Sequence, residues 1–394
     1  MPKSPRQRTD KRGATLRQRA KRRAAPMGHG VAHVVAHAAR IPSGDRPMDP
    51  SGKRLRQMRV LIVKLSSLGD VVHAMPVVHD IRSAFPDAVI DWVVEPGFAA
   101  LLRRVEGVET VIECALRRWR TAWWTTGVRA EWRAFKAQLQ AHRYDAVLDL
   151  QGLMKSALIA KLARCTPTGA SHGLANRTEG SSHELPARWL VDRAIPIEPH
   201  IHALDRSRVL AAKALGYAFD GPPRFGLRAK ASDSASTPGG APTLVLVHGS
   251  SRDDKLWPED SWIALGQRAV AQGWRIALPH AGALEFARAQ RIASAFADPD
   301  NDNAAASVWP AMGLDALVDR LGATQGVVGV DSGLSHIAVA LDLPHVQIYN
   351  WPTAWRTGPQ AAHGHRHQVS VEAQPTPSLD AVWSAWAQVR EAAH

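Results

Sequence analysis

The stretch Val60-Leu61-Ile62-Val63-Lys64-Leu65-Ser66-Ser67-Leu68-Gly69-Asp70 decides the fold of this 394-residue chain when read with Val330-Asp331-Ser332-Gly333-Leu334-Ser335-His336 far downstream. Each begins as an apolar β-type run, breaks at small residues and passes into a helical pattern. A parallel α/β sheet delivers polar groups to the carboxyl ends of its strands in this way. Two such deliveries predict two sheets facing one cleft.

Outward from the first stretch, the pattern predicts a strand over 59–64, a helix over 70–85 and strands over 89–95 and 108–113. A long helix over 122–141, a strand over 146–150 and a helix over 154–164 follow. The Ser/Thr/Pro/Gly composition of 229–242 reads as a linker. A second alternation then runs through strands over 243–248, 275–279, 326–330 and 345–349, with helices over 261–272, 284–297, 314–322 and 334–341. Alternating strands and helices argue for parallel sheets covered on both faces. The expected organisation is therefore a basic leader over 1–57, a Rossmann-like half over 58–228, the linker, a second Rossmann-like half over 243–376, and a helix over 377–394 packing across the junction.

Net charge is +13, but residues 1–57 hold fifteen Lys and Arg against three Asp, so the body after them is near neutral. The leader has no sustained apolar face to offset the entropy of ordering and is expected to be disordered and dispensable, with the functional start at Met58. A nucleic-acid-binding arm is the main alternative for it; the near-neutral body gives no broad electrostatic footprint for nucleic acid. Two cysteines imply no disulfide framework and fit a reducing cytoplasm. No stretch approaches the ~18 apolar residues of a spanning helix.

Four places could carry chemistry. Asp70 follows a small-residue loop after the first strand, where it either caps the helix or takes a proton from an attacking hydroxyl. Gly249-Ser250-Ser251-Arg252-Asp253-Asp254-Lys255 places hydroxyls and a lysine after a strand, a set suited to phosphate. Asp331 to His336 opens a helix whose first amides form an anion site. Arg117-Arg118-Trp119-Arg120, with Trp123 and Trp124 behind, could grip an acidic acceptor. No Walker loop is present, and no G-x-G-x-x-G follows the first strand, which argues against ATP hydrolysis and a nicotinamide dehydrogenase. Without a His-Glu-x-x-His or Cys-x-x-Cys spacing, the cluster His363, His365 and His367 reads as incidental.

Six segments in register, namely 60–70, 91–98, 117–120, 149–156, 252–258 and 331–336, resemble the type I lipopolysaccharide heptosyltransferases of glycosyltransferase family 9, over nearly everything from Met58 to about Gly358. The resemblance implies a GT-B fold of two doubly wound parallel-sheet halves, and inverting transfer of heptose from ADP-heptose to the first Kdo of Kdo2-lipid A. It implies Asp70 as catalytic base. It places Ser250, Ser251, Lys255, Glu285, Met312, Asp331, Ser332, Gly333, Leu334 and His336 on the donor, and Lys64, Ser67, Gly69, Arg117, Arg118, Arg120 and Gln151 on the acceptor side. Lysine and helix dipole would neutralise the departing diphosphate, so no cofactor and no obligatory metal are expected. The implied setting is peripheral, on the cytoplasmic face of the inner membrane, as a monomer. Serines at 250, 251 and 332 stand where threonines are common, and His280 where a tryptophan is expected. A type II enzyme, which extends the heptose just added, and a non-catalytic sugar-nucleotide or lipid-binding protein are the alternatives.

Overall fold

A computed structural model describes residues 57–230, 240–296 and 305–393. Most of the leader and the middle of the linker fall outside these residues. The first sheet is built from β1 (Arg59–Val63), β2 (Val89–Val94), β3 (Val108–Glu113), β4 (Arg143–Asp149), β5 (Arg164–Leu174) and β6 (Arg193–Ile195), in the order β3-β2-β1-β4-β5-β6. The second is built from β7 (Thr243–Val247), β8 (Arg275–Leu278), β9 (Ala306–Val308), β10 (Gly326–Val330), β11 (His345–Tyr349) and β12 (Gln368–Glu372), in the order β12-β11-β10-β7-β8-β9. Every pairing within both sheets is parallel. All five residues of β10 and of β11 are buried, as strands covered on both faces must be.

Helices of the first lobe are α1 (Leu68–Ala74), α2 (Pro76–Ala84), α3 (Pro96–Leu102), α4 (Leu116–Ala122), α5 (Thr126–Leu139), α6 (Met154–Leu162) and α7 (Ala203–Leu215). Those of the second are α8 (Glu259–Val270), α9 (Ala283–Ser294), α10 (Leu314–Gly322), α11 (Gly333–Ala340), α12 (Ala354–Thr357) and α13 (Leu379–Ala392). The single helix expected over 70–85 is two, because Pro76 has no amide to continue the ladder and instead starts α2 at its first turn. The helix expected over 122–141 begins only at Thr126, where Thr125 accepts from the Val128 amide and caps it. The preceding arginine-rich segment is itself α4. Strands β5, β6, β9 and β12 and helix α7 had no counterpart in the sequence reading.

Three apolar clusters hold the lobes. One runs without a break from Val60, Ile62 and Trp92 of the first sheet to Val245, Val327 and Ile337 of the second, so the junction itself is core. The other two fill the outer faces, around Trp257, Trp262 and Trp386 in one lobe and Trp119, Phe135 and Leu139 in the other. The terminal helix does not pack across the junction as expected. Val382, Ala385, Trp386 and Val389 of α13 bury into the second lobe's own outer core, against α8, β11 and β12. The crossing element is the irregular stretch around α12. His202 donates from Nε2 to the Gly358 carbonyl at 3.1 Å, His73 to the Thr357 carbonyl at 3.3 Å, and His363 pairs with Asp205 at 2.8 Å. Arg104 adds a bidentate bond to Asp319 of α10, at 2.8 and 2.7 Å.

Histidines concentrate at this junction and below it. Burial, reinforced by neighbouring His363, pushes His202 down to about 3, and burial pushes His345 down to about 4. An unfolded imidazole titrates near 6.5, so between about pH 6.5 and 4 the unfolded chain binds protons that these folded rings refuse. The stability these rings confer is therefore full above pH 6.5 and falls on acidification through that window, by up to about 1.4 kcal/mol per pH unit per imidazole, opposed by buried Asp149, whose carboxyl is pushed up to about 6. Urea unfolding across this range should show that slope, reduced by one proton in His345→Gln; a flat profile would refute the assignment.

Candidate active site

Strand β1 ends beneath the loop that carries Asp70 into the first turn of α1. The carboxylate divides its work between two oxygens. Oδ2 accepts from the Ser67 amide at 3.2 Å and the Ser67 hydroxyl at 2.9 Å, which caps α1 and fixes the side chain. Oδ1 faces the Lys64 ammonium at 3.5 Å and the Arg206 guanidinium at 3.6 Å, contacts long enough to leave a lone pair for a hydroxyl. Asp70 thus caps the helix and also keeps a free acceptor, and its side chain stays 38% exposed. Burial alone would push its carboxyl up, but Lys64, Arg206 and the Ser67 hydrogen bond outweigh it and hold the group well below the usual carboxylate range. It is an anion at neutral pH.

In the second lobe Asp331 follows β10 and Ser332 caps α11 by accepting from the Ser335 amide. The amides of Gly333 and Leu334 precede the first intrahelical bond and face outward at the positive end of the helix. Asp331 accepts from Lys255 Nζ at 2.6 Å and from His336 Nε2 at 3.3 Å. Burial would raise its carboxyl, but His336 and Lys255 hold it well below the ordinary range. The ammonium it positions keeps two of its three donors for another anion. Ser250 reaches the Asp331 carbonyl at 3.4 Å, while Ser251 is exposed. Glu285, near the start of α9, accepts from the Ala281 amide at 2.6 Å and lies over Gly249, next to Ser250. Met312 and Leu334 pack, half-buried, against the core that crosses the junction. The His280 ring meets Phe286 at 4.8 Å between centroids.

The two halves meet where α1 faces α11. A Cβ on Gly69 would lie 2.7 Å from the His336 ring, and one on Gly333 2.7 Å from Leu68, so hydrogen is the only side chain that either position accommodates at this spacing. The His73 ring sits 4.3 Å from His336, within the electrostatic reach of both Asp70 and Asp331. A chain of contacts therefore runs from His73 through His336 and Asp331 to Lys255, with Asp70 within electrostatic reach of His73. The front carboxylate and the rear cation share one crevice.

Other expected residues take different places. Lys64 is buried, donating to the Leu150 carbonyl at 3.1 Å beneath Asp70 rather than standing open to an acceptor. Burial lowers its ammonium, partly countered by Asp70. Gln151 is buried as well, its Oε1 accepting from the Leu65 amide at 2.8 Å. Of the α4 arginines, Arg117 and Arg120 line a cavity of about 640 Å³ together with Glu95, Trp123, Arg129, Trp132 and Lys155. Arg117 pairs with Glu95 at 3.2 Å. Arg118 turns instead to Glu131 at 2.5 Å, and Trp119 packs into the outer core of the first lobe. Lys155 ties this cavity to the site, its ammonium reaching Ser66 Oγ at 3.5 Å.

Arg206 and His73 join the site with no role read from the sequence, as do Lys155 and Glu95, which lie within the segments 149–156 and 91–98. Arg206 left a detectable signal, an arginine among the buried alanines and leucines of α7, where it is 6% exposed and donates to Thr178. A buried cation needs a partner, and Asp70 is the carboxylate it faces.

Residues 132–384 match the glycosyltransferase family 9 (heptosyltransferase) family. The chain is 41% identical over 298 residues to lipopolysaccharide heptosyltransferase 1 of Escherichia coli (strain K12), spanning 74% of this chain and 88% of that protein. Its fold is similar to that of E. coli heptosyltransferase WaaC solved with ADP, with a TM-score of 0.70 and 35% identity over 84% of this chain and 100% of that one. It is also similar to the same enzyme with ADP-2-deoxy-2-fluoro heptose, with a TM-score of 0.65 and 36% identity over 85% and 98% of the two chains.

Gly69→Ala tests the convergence of the two lobes directly. The added methyl must push His336 and α11 away, and a misplacement of about 1 Å is enough to cost on the order of 100-fold in rate. We expect turnover to fall by that order while the urea midpoint moves little, measured by steady-state kinetics and equilibrium unfolding; unchanged turnover would show that the α1–α11 spacing does not control the site.

Proposed function

Because the chain belongs to glycosyltransferase family 9, the heptosyltransferases, we propose that it transfers L-glycero-D-manno-heptose from ADP-heptose to the first Kdo of Kdo2-lipid A, in lipopolysaccharide inner-core synthesis, with inversion. The observation that carries this reading is the shared crevice, with an ionised Asp70 on one wall and the Lys255–Asp331 pair beside the α11 start on the other. An inverting transfer needs these two poles. The acceptor hydroxyl oxygen bonds to the anomeric carbon from one face as its proton passes to Asp70 Oδ1. The bond to the diphosphate oxygen breaks on the opposite face, and the electron pair leaves with ADP.

Each pole has a physical rationale. Asp70 is held ionised by Lys64 and Arg206, so it is ready to accept a proton at neutral pH, and its Ser67 bonds stop it rotating away. Lys255 and the amides of Gly333 and Leu334 would meet the charge growing on the diphosphate, in a site already organised by Asp331. With that positive charge supplied by the chain, we infer that transfer needs no metal ion. The acceptor's anionic sugars would lie toward Arg117, Arg120 and Lys155, on the cavity that opens beside Ser66. The setting we propose is the cytoplasmic surface of the inner membrane, where the lipid acceptor resides. No helix among the described residues is long and apolar enough to cross a membrane.

Incubation of the purified chain with ADP-heptose and Kdo2-lipid A, with the product followed by mass, tests the reading. One heptose should be added, with the rate retained in EDTA; product only from an acceptor that already carries a heptose would assign the second step instead. Asp70→Asn keeps the Ser67 bonds and the shape but removes the base, so turnover should fall on the order of 100-fold or more with ADP-heptose affinity nearly unchanged. Parallel loss of affinity would make Asp70 structural. Lys255→Ala reverses the pattern. Its ADP-heptose affinity, read by calorimetry, should fall about tenfold or more as a charge-assisted phosphate contact is lost, and an unaltered affinity would remove Lys255 from the donor site.

A further inference from the structure

Three of the chain's fourteen tryptophans stand more than half exposed: Trp123 at 68%, Trp124 at 60% and Trp189 at 70%. Leu158 at 49% and Leu185 at 61% join them, so five of the seven large apolar side chains left open among the described residues belong to the first lobe. They follow successive strands of one sheet. Trp123 and Trp124 form the elbow between α4 and α5 after β3, Leu158 lies on α6 after β4, and Leu185 and Trp189 lie on a short turn of helix after β5.

The segments are neighbours. Trp123 lines the same cavity as Lys155, in the first turn of α6. The adjoining Met154 amide donates to Glu184 at 2.6 Å, which sets Leu185 on the other side of that helix start. Around the elbow stand Arg117, Arg118, Arg120, Arg129 and Arg133, against two carboxylates that are already engaged, Glu131 by Arg118 and Trp119 and Glu95 by Arg117. The indoles that these arginines flank leave large apolar surfaces in water. The combination suits a surface whose apolar and anionic layers lie a few ångströms apart, because indole rings favour the membrane–water boundary and guanidinium groups favour lipid phosphates.

We propose that this rim, with Trp123 and Trp124 as its tip and Leu185 and Trp189 as a second contact, docks the enzyme onto a bilayer rich in anionic phospholipid. The inference rests on the proposed lipid-borne acceptor for its purpose, and extends it by naming the surface that binds the membrane itself. Because the elbow borders the cavity lined by Lys155, whose ammonium touches Ser66, a docked rim would present that cavity to headgroups rather than to bulk water.

The experiment uses the full chain and vesicles free of any acceptor, so its result is independent of transfer. Co-sedimentation should show binding to vesicles containing phosphatidylglycerol, weakening as salt rises, and little binding to pure phosphatidylcholine. The double variant Trp124→Ser, Trp189→Ser, whose exposed side chains can be removed without opening a core, should partition at least about tenfold more weakly. In the wild type, brominated phosphatidylglycerol should quench tryptophan fluorescence, and far less so in the variant. No binding to anionic vesicles, or equal binding by the folded variant, overturns the proposal. Undiminished vesicle binding with lost transfer to Kdo2-lipid A also overturns it, since the rings would then serve the acceptor rather than the bilayer. Absence of any transfer by a chain that docks would instead sink the proposed activity and leave the membrane surface standing.

Discussion

The close approach of α1 to α11 is the constraint on which the rest of this molecule depends. Two helices meet end against end at Gly69 and Gly333, with the His336 ring lying where a side chain on Gly69 would be. Everything polar in the crevice is arranged around that contact: Asp70 one residue beyond Gly69, His73 one turn later, Asp331 two residues before Gly333. The glycines are therefore packing residues first, and the chemistry follows from the distance they allow.

The charges in the crevice explain one another. A buried lysine and a buried arginine both face Asp70, and Asp331 holds a lysine and a histidine. Isolated, each would carry the cost of a desolvated ion, whereas grouped they neutralise one another and stay fixed. Fixed charges need no reorganisation when a reaction begins, which is the most direct way for a protein to favour a charge-separating step. The same grouping holds both carboxylates well below the usual carboxylate range. Acid is met first by the buried imidazoles.

The junction between lobes combines an apolar core with a polar strap. The continuous cluster from the first sheet to the second provides adhesion, while the bonds around α12 and the Arg104–Asp319 fork set the register. Apolar contact by itself is non-directional and would tolerate sliding. A bidentate guanidinium–carboxylate pair is directional, and it lies only partly open to water.

By itself the chain's order of residues determined the two sheets, most of their strands, and the loops that bear Asp70, Lys255 and Asp331. Those features are local: apolar runs of period two, helical spacing and small residues at strand ends express themselves within about ten residues. Short or half-exposed edge strands such as β6, β9 and β12 carry too few apolar positions to announce themselves, and α7 hides buried arginines among its alanines. Only the tertiary structure decided which side chains meet across long separations. It put Arg206 beside Asp70, drew Lys64 and Gln151 beneath the surface, turned Arg118 away from Arg117 and Arg120, and kept α13 on its own lobe. Such pairings depend on how whole sheets are stacked, and no window of sequence contains that information.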